Sequence, residues 1–222
     1  MTFPLLSSLI LLPLLGSLFI FFIREKTTKN YQSIKYVALF VSFSNFIISL
    51  YLWYLFDNSI SDFQFVEEKV WIKDFINYKV GVDGISILFI ILTTFIVPLC
   101  VVSINSNIKN RLKEFLIAVL IMESFMIGVF CSLDLIIFYL FFEGGLIPMF
   151  LIIGIWGGSR RVYSAFKFFL FTLLGSILML VAIITIYWIS DTTDITILYY
   201  LGIDPSYQKL LWLAFFSSFA VK

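Results

Sequence analysis

Long, nearly uncharged apolar runs are the feature that most constrains how this chain folds. A helix rises about 1.5 Å per residue, so about 20 apolar residues cross the hydrocarbon core of a bilayer. We therefore predict an all-α integral membrane fold, in which residues 1–222 form a single membrane domain with six complete transmembrane helices and the start of a seventh. The predicted spans are 4–23, 35–56, 84–104, 114–133, 135–156 and 165–190, and the seventh starts near 207 and continues to 222.

The composition excludes several classes of protein. Of the 222 residues, 61% are hydrophobic and 13% are charged, whereas soluble domains average about 45–50% apolar and about 25% charged residues. A soluble enzyme and a disordered tail are therefore excluded, and a net charge of +1 predicts no nucleic-acid partner. The chain has no histidine, and its two cysteines, Cys100 and Cys131, lie in apolar runs. The sequence thus predicts no metal and no cofactor bound by this chain.

The basic residues of the predicted loops indicate the orientation of the chain. Basic residues concentrate in loops on the inner side of a membrane. The loops after the first, third and fifth spans contain ten of them, against four in the other loops, which predicts an N-terminus outside. The ten are Arg24, Lys26, Lys29, Lys35, Lys109, Arg111, Lys113, Arg160, Arg161 and Lys167, and the four are Lys69, Lys73, Lys79 and Lys209.

Two connections between the predicted spans have local signatures. Residues 57–83 form the one sizeable polar segment, and the alternation over 78–82 predicts a short β-hairpin in this outer loop. The fourth and fifth spans nearly abut, so residues 133–135 must make a tight turn. Asp134 at this turn is either a water-exposed turn residue or a point where protons enter or leave.

Three ionisable residues lie deep in the apolar runs, namely Glu123, Glu143 and Lys222. A charge at this depth costs at least about 2.5–3.5 kcal/mol, so such residues face the protein interior and pair. Counted from the turn at Asp134, Glu143 lies roughly 13 Å deep and Glu123 roughly 16 Å deep. The seventh span carries Lys222 to roughly 22 Å. Two interpretations remain open: a pair that exchanges protons, or a static ion pair between helices. For Glu123, a structural hydrogen bond is an equal alternative.

A helix break is predicted beside Glu143. Pro148 has no amide hydrogen, so it leaves the carbonyl of Gly144 without its helical partner. Gly144 and Gly145 lower the cost of an irregular turn at this point. Broken helices beside buried charge are typical of proteins that translocate ions, although a proline in a membrane helix also bends it without any functional role.

Residues 135–158 read LIIFYLFFEGGLIPMFLIIGIWGG. This segment resembles the fifth-helix signature of the subunit 4 family of proton-pumping NADH:ubiquinone oxidoreductase, respiratory complex I. The signature consists of Glu143, the motif Leu-Ile-Pro-Met over residues 146–149, and Trp156-Gly157. Residues 81–86, 167–179 and 211–222 resemble the start of helix 3, helix 6 and helix 7 of the same family.

The resemblance implies roles for the buried charges. The antiporter-like subunits of this family carry a coupled Glu and Lys on helices 5 and 7, which match Glu143 and Lys222. A Glu on helix 4, matching Glu123, is a family feature with a less settled role. The family also has an outer β-hairpin between helices 2 and 3.

The resemblance further implies the partners. NADH, FMN, iron–sulfur clusters and ubiquinone are expected in partner subunits, and the other complex I membrane-arm subunits and the lipid bilayer are the expected contacts. The 27 phenylalanines and the lack of an Arg-rich presequence favour the mitochondrial inner membrane over a bacterial plasma membrane.

One departure from the family is large, because family members are roughly twice this long. Either a separate chain carries the C-terminal half, or the sequence is a piece of a longer one, and alone it is not expected to pump. Two other functions remain open. They are a cation/proton antiporter subunit without redox partners, and a scaffold whose charges only determine packing.

Overall fold

The computed structural model describes residues 4–23, 28–72, 76–104 and 111–222, with side chains in the second range from residue 31 onward. The described residues form nine helices and two strands. In chain order these are α1 (Leu5–Phe22), α2 (Thr28–Leu55), β1 (Gln64–Ile72), β2 (Ile76–Val82), α3 (Ser86–Ser103), α4 (Leu112–Cys131), α5 (Leu135–Gly144), α6 (Leu146–Trp156), α7 (Arg161–Ser190), α8 (Ile195–Leu201) and α9 (Pro205–Val221).

The predicted membrane fold is confirmed. Six helical segments are long and apolar enough to cross a bilayer, and the fifth of them, Leu135–Trp156, consists of α5 and α6 together. The predicted β-hairpin is also present as the antiparallel pair β1–β2. At the seventh predicted span the chain forms α9, which has 17 residues. Several helices extend beyond the apolar runs, and α7 begins four residues earlier than predicted, because a helix continues through charged residues at the membrane surface.

The described residues group into two compact units, and the prediction of a single domain is not tested by this grouping. The first unit comprises the described parts of Met1–Glu67 and Val80–Cys131. In it, α1 packs on α2 and α4, and α3 packs on α2 and α4. The approach of α1 to α2 is close at Gly16, where an added Cβ would lie 2.6 Å from Cγ1 of Val41.

Polar contacts close the helix ends of the first unit. The carboxylate of Glu67 in β1 accepts hydrogen bonds from the backbone N–H groups of Leu6 (2.8 Å) and Ser7 (3.1 Å). It thereby caps the start of α1, where the unpaired amides favour a negative charge. Lys35 donates to the carbonyl oxygen of Ile104 (2.5 Å) and Lys113 donates to that of Ile23 (2.8 Å). These two lysines cap the C-terminal ends of α3 and α1.

The second unit comprises the described parts of Glu68–Lys79 and Ser132–Lys222. In it, α7 packs on α6 and α9, and α5 packs on α6 and α7. Ala182, Ile186 and Leu211 form its buried apolar cluster. The helix α8 is absent from the sequence-based prediction, because its seven residues are too few to give a periodic signal.

The structure contradicts one of the two roles predicted for Asp134. Three residues separate α4 from α5, as the tight turn requires. Asp134, however, is 2% exposed, so it is not a water-exposed turn residue. Its side chain caps α5 by accepting hydrogen bonds from the backbone N–H groups of Ile136 and Ile137. The hydroxyl of Thr193 donates to the same carboxylate, which is the kind of partner that a buried charge requires.

Candidate functional site

The second unit brings Glu143 and Lys222 to neighbouring helix ends. Glu143 is in the last turn of α5, and Lys222 directly follows α9. The amine nitrogen Nζ of Lys222 donates to the carbonyl oxygen of Phe142 at 2.6 Å, and it lies 3.1 Å from the centroid of the Phe142 ring. A cation is stabilised at a helix C-terminus and over an aromatic face. The ammonium group is therefore placed at the residue that precedes Glu143.

The two charged groups are not joined as an ion pair in this arrangement. Among the described residues, the nitrogen–oxygen contacts within 4.0 Å do not include one between Lys222 and Glu143. The Oε2 atom of Glu143 is buried and has no hydrogen-bond partner in the described part of the chain. The amine of Lys222 thus contacts the carbonyl and ring of Phe142, while Oε2 of Glu143 has no hydrogen-bond donor among the described residues.

Three aromatic rings connect the helices that carry this pair. The rings of Phe138 and Phe142 in α5 are stacked with centroids 5.4 Å apart. Phe219 of α9 lies 6.2 Å from Phe138 and 5.8 Å from Phe142. Aromatic contacts of this geometry contribute roughly 0.5–1.5 kcal/mol each beyond the area they bury. They position the end of α9, and therefore Lys222, against the last turns of α5.

The fifth span is interrupted directly after Glu143. α5 ends at Gly144, Gly145 forms a turn, and α6 begins at Leu146. The backbone N–H of Gly145 still donates to the carbonyl of Phe141 at 3.1 Å, and Gly145 has helical angles of φ −63° and ψ −19°. The irregularity is therefore local. It lies where Pro148, which has no amide hydrogen, cannot bond the carbonyl of Gly144.

The first unit contains the third candidate, Glu123, on α4. Its side chain is 1% exposed, and Asn45 of α2 is fully buried beside it. The amide nitrogen Nδ2 of Asn45 donates to Oε1 of Glu123 at 2.9 Å. The other oxygens of the pair, Oε2 of Glu123 and Oδ1 of Asn45, have no partner among the described residues.

Asn45 is a residue that the sequence analysis missed. It belongs to a polar stripe on the buried face of α2, which consists of Ser42, Asn45 and Ser49 at helical spacing. Ser49 shares a hydrogen bond of 2.7 Å with Thr94 of α3. The signal was present in the sequence, since three polar residues on one face of an apolar helix predict polar partners on the adjacent helices.

A polar cluster in the second unit lies outside the spanning helices. Lys79 donates to Oδ2 of Asp194 at 2.5 Å and to the hydroxyl of Thr196 at 2.9 Å. Partial burial raises the pKa of Asp194, but the hydrogen bonds from Lys79 and Thr196 and the charge of Lys79 outweigh burial and lower the pKa below its ordinary value. The backbone around Asp194 pairs with that around Asp134 in an antiparallel bridge. The cluster is thus a structural junction.

In the described ranges, no group of three or more His, Cys, Asp and Glu side chains is arranged to bind a metal ion. Among the described helices, the predicted site residues make two side-chain contacts: Lys222 with the carbonyl of Phe142, the residue before Glu143, and Glu123 with Asn45.

Comparisons with known proteins show which family the chain resembles. Residues 132–222 match the model of the transmembrane region of the NADH:quinone oxidoreductase/Mrp antiporter family. The chain is 48% identical to NADH-ubiquinone oxidoreductase chain 4 of Marchantia polymorpha over 98% of its length, and 52% identical to NADH-quinone oxidoreductase subunit M of Rhodobacter capsulatus over 86%. The chain is thus similar to these subunits over nearly its whole length, and its C-terminal part matches the family model. It covers 44% and 40% of these two relatives, less than half of either.

Solved structures share the fold of this chain. A chain of respiratory complex I from Thermus thermophilus superposes with a TM-score of 0.82 at 25% identity, over 97% of this chain and 43% of that chain. A chain of the Mrp complex from Dietzia shows the same fold with a TM-score of 0.78 at 13% identity, over 98% of this chain and 23% of that one. The same fold therefore occurs in a respiratory complex I and in an Mrp complex.

Proposed function

We propose that this chain is the N-terminal half of a proton-translocating membrane-arm subunit of an NADH:quinone oxidoreductase. Its relatives of 48% and 52% identity are named as subunits of that enzyme. The observation that carries the proposal is the contact of Lys222 with the carbonyl of Phe142, next to a Glu143 oxygen that has no partner. A cation and an acceptor without a donor on adjacent helix ends are the parts that a proton switch needs.

The switch works by exchanging the partner of Lys222. In the arrangement described, Phe142 binds the amine, and Glu143 has no countercharge in contact. When the amine turns from the Phe142 carbonyl to Oε2 of Glu143, the attraction of opposite charges stabilises the ionised carboxylate and releases its proton. When the amine returns to Phe142, the isolated carboxylate takes up a proton again. Quinone reduction elsewhere in the complex drives the alternation.

Glu123 has a second role in this proposal. It lies on α4 in the other compact unit, in a buried position with Asn45 as its hydrogen-bond donor. We assign it the transfer of a proton, or of its charge state, towards the neighbouring subunit of the membrane arm.

The proposal places the redox chemistry in other chains. NADH, FMN, the iron–sulfur clusters and ubiquinone belong to partner subunits, and this chain contributes to the enzyme only by moving protons. The partners are the other membrane-arm subunits and a separate chain that carries the C-terminal half. Relatives from a plant and from a bacterium support a location in the mitochondrial inner membrane or, alternatively, in a bacterial plasma membrane.

The Glu143→Gln substitution tests the proton switch. It preserves shape and hydrogen bonding but removes the charge, so we expect proton pumping and coupled NADH:quinone activity to fall about tenfold or more while the complex still assembles. Pumping is measured in sealed inverted vesicles, and assembly is measured by native electrophoresis. The matched control is Glu114→Gln, which changes an exposed Glu in the first turn of α4. Pumping by Glu143→Gln at the rate of the control would refute the role and favour a scaffold.

A cation/proton antiporter without redox partners is the alternative function, because the family model and the Mrp structure include such proteins. Purification of the native complex from solubilised membranes separates the two. Co-migration with NADH-oxidising subunits supports the enzyme, and their absence supports the antiporter. Peptide mapping of the same sample tests the separate C-terminal chain, which peptides continuing past Lys222 on one polypeptide would exclude.

A further inference from the structure

In the buried pair of Asn45 and Glu123, two of the four polar side-chain atoms are acceptors without a hydrogen-bond donor among the described residues. The amide nitrogen Nδ2 of Asn45 uses one of its two N–H groups to donate to Oε1 of Glu123. Oδ1 of Asn45 and Oε2 of Glu123 are both buried and both lack a partner in the described residues. Each of these atoms is an acceptor when the carboxyl group is ionised. The pair is therefore short of an O–H donor.

Within the part of the chain that the structure describes, no cation lies in salt-bridge contact with the carboxyl group of Glu123. The helices packed with α4 in this unit are α1, α2 and α3, and their buried polar side chains within the described ranges are all uncharged. Lys35 of α2 and Lys113 of α4 instead donate to backbone carbonyls at helix ends. An ionised carboxylate buried with a single amide donor and no countercharge is strongly disfavoured.

One added proton satisfies both acceptors. An acid and an amide pair through two hydrogen bonds, in which the amide N–H donates to one acid oxygen and the acid O–H donates to the amide oxygen. Asn45 already makes the first of these bonds. A proton on Oε2 of Glu123 would supply the donor that the second bond requires.

We propose that Asn45 is a positioning residue that binds the carboxyl group of Glu123 in its protonated form, so that the two side chains together form a buried proton-binding site. This inference rests on the proposed function only for the use of the stored proton. The site itself follows from the contact of 2.9 Å and the two acceptors without partners. When Glu123 releases the proton, the second hydrogen bond is lost and Asn45 Oδ1 again has no donor.

Infrared difference spectroscopy on the purified complex at neutral pH tests this site directly. We expect the wild type to show a carboxylic-acid C=O band that is missing in Glu123→Gln, whose amide still pairs with Asn45 and preserves packing. In Asn45→Leu the same band should shift to higher frequency, because the carbonyl loses its N–H donor. The control Ser42→Ala removes a neighbouring hydroxyl on the same face of α2, which bonds only within its own helix at Leu39, and it should leave the band unchanged.

Two outcomes would overturn the proposal. Loss of carboxylate bands, and not of an acid band, in Glu123→Gln would show that Glu123 is ionised and that a bound water supplies the donor. An acid band that Asn45→Leu does not move would show that Asn45 does not position the carboxyl group. Neither result depends on pumping, so a failure of the Glu143 switch would be seen separately in the vesicle assay.

Discussion

The contact between α1 and α2 at Gly16 permits a quantitative test of how the first unit packs. A Cβ added at Gly16 would lie 2.6 and 2.8 Å from the two methyl carbons of Val41. Carbon atoms in favourable contact are about 3.5–4.0 Å apart, so Gly16→Ala requires a displacement of about 1 Å. Val41 cannot turn away at low cost, because a valine in a helix has one strongly preferred rotamer. Packing therefore opposes the substitution directly.

The expected loss combines two opposing effects. Overpacking of this kind costs about 1–3 kcal/mol, and replacing a helical glycine by alanine recovers about 1 kcal/mol. We expect Gly16→Ala to lower the free energy of unfolding by about 1 kcal/mol, which corresponds to about 2–4 °C in Tm for a chain of this size. Thermal unfolding of the detergent-solubilised complex, followed for this subunit, measures the shift.

Two further variants make the test decisive. In Gly16→Ala combined with Val41→Ala the clashing methyl groups are gone, so the double variant should be more stable than the sum of the single effects predicts. In Gly154→Ala the added Cβ lies 3.5 Å from that of Ala165, an ordinary contact, and Tm should stay the same or rise slightly. The reasoning fails if Gly16→Ala and Gly154→Ala have the same Tm, or if Val41→Ala gives no relief.

Two other predictions concern polar contacts near the helix ends. Glu67→Ala removes the cap of α1 and should weaken its first turn by about 1–2 kcal/mol, seen as faster amide hydrogen exchange there, whereas Glu68→Ala should not affect that turn. The pKa of Asp194 is lower in the folded protein than in the unfolded chain. Its ion pair with Lys79 therefore stabilises the fold above about pH 4, and this stabilisation is lost as the pH falls through the pKa of the folded state. Asp194→Asn should accelerate exchange over residues 192–198 at neutral pH, and this difference should shrink on acidification; a difference independent of pH would contradict the assigned pairing.

Parts of the fold and site were predictable from local properties of the sequence. The apolar runs predict the spanning helices because crossing a bilayer requires a minimum length of apolar helix, whatever the neighbours are. The alternation over residues 78–82 predicts β2, which the structure confirms at Ile76–Val82. Glu123, Glu143 and Lys222 stand out because a charge in an apolar run is costly. Their roles remain predictions.

Other features depend on contacts between residues far apart in sequence. The Asn45–Glu123 hydrogen bond joins residues 78 positions apart, and the Lys222–Phe142 bond joins residues 80 positions apart. No local pattern specifies which pairs of helix faces meet, since that depends on the packing of whole helices. The sequence predicted that Glu143 and Lys222 pair, either to exchange protons or as a static ion pair. In the structure the amine of Lys222 contacts the carbonyl and ring of Phe142.

The sequence by itself determined the membrane-spanning helical architecture and the costly charged positions, because both follow from the transfer of side chains from water to an apolar medium. Only the tertiary structure decided how those charges are satisfied. It supplies Asn45 to Glu123 and Phe142 to Lys222, and it turns Asp134 into a buried helix cap. The physical reason is that hydrogen bonds and close packing act over about 3–4 Å, so they exist only once the helices have come together.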